Sequence, residues 1–375
     1  VLYSTRKMKI GIDISQSVYF GTGVASYTRN LINAITKLTH SHKFVLFGSS
    51  LRRQKDLKKF LDTLGDKSLI DSRIIMLPPT LLDIIWNRLH IIDVETFTGK
   101  IDLFHTSDWT EPPSDASKVT TIHDLIVYKF PEHLDKEIVN TQLSKLAWVK
   151  KESAMIIADS QSTKKDIMTY LNIPESKIKV VYLGVDPVFK PQPVSRIEEL
   201  RKKYEIANEY ILSVGTHEPR KNLKRVVRAF LQLNHKNLSL VIVGNRGWGS
   251  DITAQKNIKL LTGISEVELA TLYSGAKCFV YPSLYEGFGL PVLEAMACAT
   301  QVVTSNKGSL AEIVGPNAIV VDPFSEIAIF EGIKNAISLR GNDRKEMLER
   351  ARRYVSKFTW EKTASETVKI YESIL

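Results

Sequence analysis

The sequence contains few cysteines and no long apolar run, and these absences exclude several classes of protein. Its 375 residues include two cysteines, Cys278 and Cys298, whose spacing fits neither a metal site nor a redox motif. We expect both to be small buried hydrophobic residues in a reducing cytoplasm. The longest apolar stretches, such as SLVIVG, fall far short of the roughly 20 residues that a membrane-spanning helix needs. The composition therefore predicts a soluble cytoplasmic protein.

Signals for export, repetition and disorder are also missing. The amino-terminal stretch VLYSTRKMK lacks the apolar core of a signal peptide, and Met8 is a plausible start of the folded chain. The chain is 43% hydrophobic and 25% charged, which is ordinary for a globular protein. Since 375 residues exceed what one hydrophobic core usually organises, we expect two domains.

Negative charge is in deficit, which indicates anionic partners. The formal net charge is +10 and the isoelectric point is about 9.3, so anionic membranes, nucleic acid and phosphorylated substrates are all candidates. The excess is shared between the two halves of the chain. A dedicated nucleic-acid-binding protein usually concentrates its charge on one face, so nucleic acid is not an expected partner.

The stretch YPSLYEGFGLPVLEAMACAT, from Tyr281 to Thr300, predicts a ligand site. An apolar strand leads into a loop with Gly287 and Gly289, and Pro291 then begins a helical pattern. In an open α/β sheet, ligands bind beyond the carboxyl ends of the strands, and a helix N-terminus offers unpaired N–H groups to a phosphate. The glycines could also serve only the turn.

Two acidic residues bracket this loop. Glu286 precedes the helix and Glu294 lies about one turn inside it, so their carboxylates should reach different parts of one elongated ligand. An ionised carboxylate can accept hydrogen bonds from adjacent sugar hydroxyls. Glu294 could bind a ribose diol, or it could simply complement the helix dipole.

A pair of basic residues, Arg220 and Lys221, follows another buried strand in EYILSVGTHEPRKNLKRVVRAF. Cations are disfavoured at the positive end of a helix. Their predicted position at a helix start therefore indicates a bound anion such as a diphosphate, which they could clamp together with backbone N–H groups. Ordinary surface cations without a ligand are the alternative.

The first half of the chain alternates buried strands and helices. Between the strand MKIGIDIS and a helix beginning near Val24, Gly21 and Gly23 start a G-T-G-V-A-S stretch that superficially matches a dinucleotide-binding fingerprint. The glycines follow the strand too late for the required tight turn, and the next strand, KFVLFGSS, carries no acid for an adenosine ribose. An oxidoreductase is therefore disfavoured, and a plain flexible loop remains an alternative for the two glycines.

Three further strand-like runs, IDLFHTSD, KVTTIHDL and AMIIADSQ, end in polar residues, as parallel strands that line a ligand site do. His105 and His123 lie at two of these ends. We assign His105 a structural hydrogen-bonding role. Asp124 is expected to orient the loop or the His123 imidazole rather than to react, and Ser162 or Thr163 is expected to cap the next helix.

Residues 51–67, LRRQKDLKKFLDTLGDK, predict an amphipathic helix. Its apolar side chains should pack on the core, which leaves a face rich in lysine and arginine. That face could be only solvated, or it could contact anionic lipid.

The stretches E-GFGLPVL-E, followed by EAMACATQVVTS, and G-T-H-E-P-R-K-N-L resemble the E-x7-E and GTxEPRKN signatures of retaining glycosyltransferases. The family resembled is glycosyltransferase family four, in its mannosyltransferase-like subgroup, and the resemblance covers nearly the whole chain. It implies an α/β protein with the GT-B fold, in which two Rossmann-like domains face each other across a cleft. The implied domains are an acceptor domain at 8–188, joined by the terminal helix 361–375, and a donor domain at 196–358.

The resemblance also implies a role for each matching residue. Glu286 and His123 would be the catalytic residues that face the donor sugar and its phosphate, and Gly21 and Gly23 would form an acceptor or phosphate loop. The donor-binding residues would be Arg220, Lys221, Gly287, Phe288, Gly289, Leu290 and Glu294. Many relatives carry an arginine where this chain has Thr216, which leaves open whether Arg220 performs that arginine's role.

The implied function is transfer of a sugar, mannose from GDP-mannose as the specific expectation, to a saccharide or lipid-linked acceptor in cell-surface polysaccharide or glycoconjugate synthesis. Retention of configuration and peripheral contact with the inner membrane face are part of this expectation. The sequence has no D-x-D triplet to hold a divalent ion, and a lysine and an arginine can replace one, so neither a cofactor nor a metal is expected. A GT-B sugar-nucleotide epimerase or phosphorylase and a non-catalytic saccharide-binding protein stay open as alternatives.

Overall fold

The computed structural model describes residues 7–38, 41–106, 108–206, 209–247, 252, 254 and 257–374. The chain divides into two compact units. One comprises Val1–Gly184 and Trp360–Leu375, and the other comprises Val185–Thr359. The second unit thus begins ahead of residue 196, where sequence analysis starts the donor domain.

The first unit contains a seven-stranded parallel sheet in the order β3-β2-β1-β4-β5-β6-β7. Apolar runs such as KFVLF form these strands because both faces of the sheet are covered by helices. The strands are β1 (Lys9–Asp13), β2 (Lys43–Ser49), β3 (Ile70–Ile75), β4 (Leu103–Thr106), β5 (Ser117–Ile122), β6 (Ser153–Ala158) and β7 (Ile178–Val180).

The helices of this unit connect consecutive strands. They are α1 (Gly23–Leu38), α2 (Gln54–Thr63), α3 (Pro79–Leu82), α4 (Glu95–Thr98), α5 (Ile126–Lys129), α6 (Lys136–Glu152) and α7 (Gln161–Leu171). A π-helix covers Asp83–Arg88, and short 3-10 turns cover Ser15–Val18, Pro131–His133 and Glu175–Lys177.

Two details of these helices correct the sequence analysis. Ser160, and not Ser162 or Thr163, caps α7, because its hydroxyl accepts a hydrogen bond from the Thr163 amide at 3.0 Å. This is the spacing between an N-cap residue and the third helical residue. Helix α2 is shorter than the predicted 51–67, but it packs its apolar face inward through Leu57 and Phe60, as its periodicity predicts.

The second unit contains a six-stranded parallel sheet in the order β10-β9-β8-β11-β12-β13. Its strands are β8 (Glu209–Val214), β9 (Leu238–Val243), β10 (Ile258–Leu261), β11 (Cys278–Tyr281), β12 (Val302–Ser305) and β13 (Ile319–Val321). Its helices are α8 (Val194–Lys203), α9 (Leu223–Gln232), α10 (Glu266–Gly275), α11 (Leu290–Ala297), α12 (Leu310–Val314), α13 (Glu326–Ser338) and α14 (Gly341–Val355), with 3-10 turns at Pro219–Lys221 and Gly315–Asn317. Each unit is thus a Rossmann-like α/β layer structure, and the predicted fold class is confirmed.

The last helix, α15 (Trp360–Glu372), belongs to the first unit. The Thr363 hydroxyl donates to the Tyr182 carbonyl at 2.8 Å, and the Tyr371 hydroxyl lies 2.5 Å from Nδ1 of His105. His105 is itself buried, so this histidine is a structural hydrogen-bonding residue that ties the helix to β4.

In the described part of the chain, no helix combines the length and the apolar character needed to cross a membrane.

Candidate active site

The stretch that sequence analysis places at the centre of the site folds as a strand, a loop and a helix. Strand β11 ends at Tyr281, and α11 begins at Leu290 with Pro291 in its first turn. Gly289 precedes the helix with a φ of 107°, a left-handed conformation that favours glycine. Glu286 therefore lies in the loop and Glu294 lies one turn inside the helix, as predicted.

Glu286 is buried, and both of its carboxylate oxygens have partners. Its Oε1 accepts hydrogen bonds from Lys221 Nζ at 2.8 Å, from the Tyr281 hydroxyl at 2.9 Å and from the Ser283 hydroxyl at 2.6 Å. Its Oε2 lies 2.8 Å from Nη1 of Arg220. A buried carboxylate is stable only when it is paired and hydrogen-bonded, and this one is both.

The surroundings keep this carboxyl group ionised. Burial disfavours the charged form, but the charges of Arg220 and Lys221 outweigh burial and lower the pKa of Glu286 to about 2. Burial and the neighbouring Arg220 charge lower the pKa of Lys221, whereas Glu286 opposes that change. We conclude that Glu286 carries a negative charge at neutral pH.

Arg220 and Lys221 lie in the 3-10 turn Pro219–Lys221, and α9 begins only at Leu223. The prediction that they stand at the helix start is therefore wrong by one short turn, because Asn222 adopts a left-handed conformation between them and the helix. The turn is tied to the site loop by Arg220, whose Nη1 donates to the Tyr285 carbonyl at 3.0 Å. In this arrangement both Arg220 and Lys221 contact the Glu286 carboxylate.

A close backbone contact fixes the position of Glu286. Gly308, after β12, has a φ of 59°, and a Cβ atom there would lie 2.4 Å from the Glu286 carbonyl oxygen. The adjacent Ser309 donates from its amide and its hydroxyl to the same carbonyl, each at 3.1 Å. Sequence reasoning missed both residues, although a glycine just beyond the neighbouring strand was an available signal.

Gly308→Ala is expected to destabilise the second unit by about 3 kcal/mol or more, because it adds steric overlap to an unfavourable backbone conformation. Gly263→Ala is the matched control: Gly263 also has a left-handed φ, of 67°, but a Cβ atom there meets nothing within 4 Å. Strain alone costs about 1–2 kcal/mol. Urea unfolding of the two variants checks this, and equal losses would mean that the Glu286 backbone contact is unimportant.

Glu294 is half-buried and lies at one end of a row of aromatic rings. The Tyr273 hydroxyl donates to Glu294 Oε2 at 3.1 Å. The Tyr273 ring packs edge-on against Phe279 at 5.1 Å, and Phe279 stacks on Tyr281 at 5.6 Å. Because the Tyr281 hydroxyl bonds Glu286, the two acids contact opposite ends of one aromatic row.

Burial raises the pKa of Glu294 to about 8, and the charges of Glu266 and Asp186 add to the shift, while the Tyr273 hydrogen bond opposes it. Two carboxyl groups at one site therefore differ widely in acidity. Glu286 is a permanent anion, whereas Glu294 titrates near neutral pH.

The remaining residues of the predicted donor-binding set have buried side chains. Phe288 and Leu290 are 5% and 8% exposed, and Ser309 donates its hydroxyl to the Phe288 carbonyl at 2.6 Å. Gly287 lies between Glu286 and Phe288 in the same loop. These residues therefore present little surface, and their assignment to donor binding stays a prediction.

The first unit holds His123 at the carboxyl end of β5. Its Nδ1 lies 2.7 Å from Oδ2 of Asp159, a buried residue that follows the neighbouring strand β6. The Tyr27 ring packs edge-on against the imidazole at 4.6 Å. The buried Nε2 of His123 has no hydrogen-bond partner among the described residues, as expected of a group that binds a ligand.

Burial lowers the pKa of His123, but the charge and hydrogen bond of Asp159 outweigh burial, so the pKa is raised. Burial raises the pKa of Asp159, against the effect of His123. The pair favours an imidazolium whose Nε2 can donate a hydrogen bond.

Asp124 orders the loop, which is one of its two predicted roles, because its Oδ1 accepts a hydrogen bond from the Ile126 amide at 3.0 Å. Sequence reasoning missed Asp159, the residue that does hold the imidazole.

Gly21 lies in the loop before α1, and Gly23 is the first residue of that helix; both are exposed. Gly21 has a φ of 82°, and a Cβ atom at either position would meet nothing within 4 Å. Packing therefore does not require glycine at these positions, and their assignment to an acceptor or phosphate loop stays a prediction.

No group of three or more histidine, cysteine or acidic side chains that could hold a metal ion occurs within the described residues. Arg220 and Lys221 supply positive charge beside Glu286.

Two protein families match the chain. Residues 21–189 match the model described as Glycosyltransferase Family 4, and residues 196–354 match the model described as Glycosyl transferases group 1. The O-antigen chain mannosyltransferase B of Escherichia coli is 31% identical to the chain over 283 residues, which are 72% of this chain and 74% of that protein.

Solved structures share the architecture. The sucrose-phosphate synthase of Thermosynechococcus elongatus has a TM-score of 0.74 at 19% identity, over 98% of this chain and 99% of that one. The Anabaena protein HepE in complex with UDP-glucose has a TM-score of 0.70 at 17% identity, over 98% of this chain and 100% of that one. At these identities the similarity concerns the fold alone.

Proposed function

The chain belongs to glycosyltransferase family 4 and has the GT-B fold, and from this premise we propose that it is a retaining mannosyltransferase that uses GDP-mannose. The choice of mannose is supported by the Escherichia coli mannosyltransferase that is 31% identical to the chain and by the EPRKN stretch. The proposed acceptor is a saccharide or a lipid-linked saccharide of a cell-surface glycan.

The contact between Glu286, Arg220 and Lys221 is the observation that carries this proposal. An anionic acceptor of hydrogen bonds suits sugar hydroxyls, and two adjacent cations suit a diphosphate. Lys221 has three N–H donors, and Glu286 and Tyr281 occupy two of them, which leaves one for a phosphate oxygen. The arrangement is therefore suited to a ligand that joins a sugar to a phosphate.

In the proposed reaction the bond between the anomeric carbon and the diphosphate oxygen breaks, and a bond to the acceptor oxygen forms on the same face. The acceptor proton passes to the departing phosphate. Negative charge grows on the diphosphate, and preorganised donors such as Arg220 and Lys221 stabilise charge that develops in a transition state. Glu286 and His123 position the sugar and its phosphate.

We also propose that no divalent metal is needed, because the two cations provide the charge that a metal would. Transfer that persists in the presence of a chelator is the expected result, and transfer that stops and returns with Mg²⁺ would reject this part of the proposal.

The donor is identified by thermal shift with GDP-mannose, UDP-glucose, ADP-glucose and a dTDP-sugar. A ligand at 100 times its dissociation constant adds roughly 2.7 kcal/mol to stability, so the cognate donor should give the largest shift. NMR of the product then determines the anomeric configuration of the new glycosidic bond. Stabilisation by none of these donors, or an inverted linkage, would contradict the proposal.

Affinity for GDP should depend on pH through Glu294. Ribose hydroxyls donate to a carboxylate, so binding favours the ionised form, and a pKa of about 8 leaves much of the group protonated below that pH. We expect affinity to increase as the pH rises from about 6 towards 8. The amide of Glu294→Gln cannot ionise, so this variant should bind GDP more weakly and its affinity should depend less on pH.

Calorimetric titration at several pH values measures this effect. Glu349→Gln, an exposed acid on α14, is the control and should follow the wild type. Parallel profiles for wild type and Glu294→Gln would show that Glu294 does not contact the nucleotide.

A further inference from the structure

A row of hydrogen bonds inside the first unit connects the last helix to the ring that packs on His123. The Tyr371 hydroxyl of α15 lies 2.5 Å from Nδ1 of His105, and Nε2 of His105 lies 2.8 Å from Oγ1 of Thr121. The Thr121 hydroxyl lies 2.8 Å from the hydroxyl of Tyr27 on α1. All four side chains are buried. We call Tyr371, His105, Thr121 and Tyr27 the buried relay.

The four groups of the buried relay are neutral at neutral pH. Burial raises the pKa of Tyr371 and of Tyr27, and for Tyr27 the negative charge of Asp159 adds to the shift. Burial lowers the pKa of His105 to about 3. A neutral imidazole has one N–H donor, and each hydroxyl has one O–H donor. The relay therefore contains four donor protons, one on each of its members.

Three hydrogen bonds use three of these protons and leave one without an acceptor inside the relay. If Tyr371 donates to Nδ1 of His105, then Nε2 donates to Thr121 and Thr121 donates to Tyr27. In this direction the unused proton is that of the Tyr27 hydroxyl. The reverse direction would leave the unused proton on Tyr371 instead.

The Asp159 carboxylate favours the first of these directions. Its Oδ2 lies 2.7 Å from Nδ1 of His123, whereas its buried Oδ1 has no hydrogen-bond partner among the described residues. The charge of Asp159 also raises the pKa of Tyr27, so the two groups are close enough to interact. Because opposite charges attract, the unused proton is most stable on Tyr27, directed towards Asp159.

Asp13 is a second acid near Tyr27. Both residues line a small cavity, together with His105. Burial raises the pKa of Asp13, and its Oδ1 already accepts a hydrogen bond from the Ser15 amide at 2.8 Å. Asp13 is therefore a weaker attraction for the Tyr27 proton than Asp159.

We propose that the buried relay directs the Tyr27 hydroxyl proton towards Asp159, which makes Tyr27 and Tyr371 positioning residues for His123. The Tyr27 ring packs edge-on against the His123 imidazole at 4.6 Å, and Trp360, the first residue of α15, packs against Tyr27 at 6.3 Å. The last helix thus contacts Tyr27 through Trp360 and controls its hydroxyl through Tyr371. This inference rests on the proposed function, because it concerns the same site.

A hydroxyl proton directed at Asp159 weakens the negative charge that acts on His123. Asp159 raises the pKa of His123 against the effect of burial, so losing that proton should raise the His123 pKa further. The other charged groups that act on this pair are Asp108 and Lys145 for His123, and Asp124 for Asp159. These three are outside the relay and stay unchanged in every variant below.

NMR titration of His123 without any donor tests the proposal. The chain has eight histidines, and the His123 signals are identified by their loss in His123→Gln. Tyr371→Phe keeps the ring but removes the hydroxyl that donates to His105, so the direction of the relay is no longer fixed. We expect a higher His123 pKa than in the wild type, and a kcat for sugar transfer about tenfold lower, the rate equivalent of one hydrogen bond.

Tyr210→Phe is the matched control. Tyr210 is also a buried tyrosine, and its hydroxyl donates to the Leu272 carbonyl at 2.7 Å, but it lies on β8 in the second unit. This variant loses a comparable hydrogen bond away from His123. Its thermal stability should fall about as much as that of Tyr371→Phe, whereas its His123 pKa and its kcat should match the wild type.

The members of the relay should act as a unit. Tyr27→Phe should also raise the His123 pKa, and adding Tyr371→Phe to it should lower kcat little more, because residues that act as a unit are not additive. Thr121→Val interrupts the relay between the two tyrosines and should resemble Tyr371→Phe. Thr121→Ser keeps the hydroxyl and should stay near the wild type.

An unchanged His123 titration in Tyr371→Phe, or additive losses of kcat in Tyr27→Phe and Tyr371→Phe, would overturn the proposal and leave Tyr371 as a structural contact of α15. If Tyr371→Phe does not fold, the comparison of Thr121→Val with Thr121→Ser decides the question in the same way. The titration uses no donor, so its result is independent of sugar transfer, and a wild type that transfers no sugar would contradict the proposed function alone.

Discussion

Glu286→Gln is expected to lower kcat by about 10²-fold or more, which is typical for the loss of a charge-assisted bond at a polar active site. The amide keeps the size of the side chain but turns an N–H group towards Arg220 or Lys221, both of which are donors. Removing one partner of a buried ion pair also costs about 3–5 kcal/mol of stability. Transfer assays under conditions where the variant is fully folded separate the two effects.

Glu326→Gln is the matched control for this experiment. Glu326 also pairs with an arginine of α9, Arg228, at 2.7 Å, but the arginine side chain is 63% exposed. Surface pairs contribute about 0–1 kcal/mol, so kcat and stability should stay near the wild type. If Glu286→Gln behaved like this control, the proposed site would be wrong.

Asp159→Asn is expected to lower kcat by about 10²-fold, in the range of general acid–base and positioning effects. Asp159 raises the pKa of His123 against the effect of burial. Without its charge, burial and the charge of Lys145 outweigh the smaller opposing effect of Asp108, so the pKa of His123 falls and the imidazole loses its proton at a lower pH. The decline of kcat on the alkaline side should therefore begin at lower pH in the variant than in the wild type.

Asp124→Asn controls for a change of charge near the histidine. Asp124 bonds the Ile126 amide, whereas Asp159 is the carboxylate that bonds the imidazole. The pH profile of Asp124→Asn should therefore match that of the wild type. His123→Ala should lose about as much activity as Asp159→Asn, and the double variant little more, because residues that act as a unit are not additive. Additive losses, or an unshifted profile in Asp159→Asn, would show that Asp159 does not act through His123.

The strands and the helix that form the site can be predicted from the sequence, because short stretches of sequence specify each of them. Apolar runs give the parallel strands, and Pro291 gives the first turn of α11. The positions of Glu286 and Glu294 on either side of that turn follow from their spacing. The same reasoning places the polar strand ends, including His123, where β5 meets its loop.

Contacts between distant segments could not be predicted in this way. Asp159 reaches His123 only because β5 and β6 are neighbours in the sheet. Tyr281 and Ser283 read as part of an apolar strand, yet their hydroxyl groups bond Glu286. The pairing of Arg220 with Glu286 depends on a 3-10 turn that no periodicity signals.

His90 and Ile92 in the first unit have φ values of 52° and 64°, a backbone conformation that sequence propensity does not predict. Isoleucine disfavours positive φ, so no pattern in the sequence predicts that conformation. The Trp86 indole donates to the Ile92 carbonyl, and the Trp148 ring stacks on His90. These contacts stabilise the conformation, and they are known only from the folded structure.

Calorimetric titration of GDP-mannose tests the central claim most directly, which is that Lys221, Arg220 and Glu286 form the site that holds the sugar diphosphate. Wild type, Lys221→Met and the control Glu326→Gln would be compared at one pH. We expect the control to bind like the wild type and Lys221→Met to lose at least about tenfold in affinity, equivalent to 1.4 kcal/mol. Equal affinities for all three proteins would contradict the account.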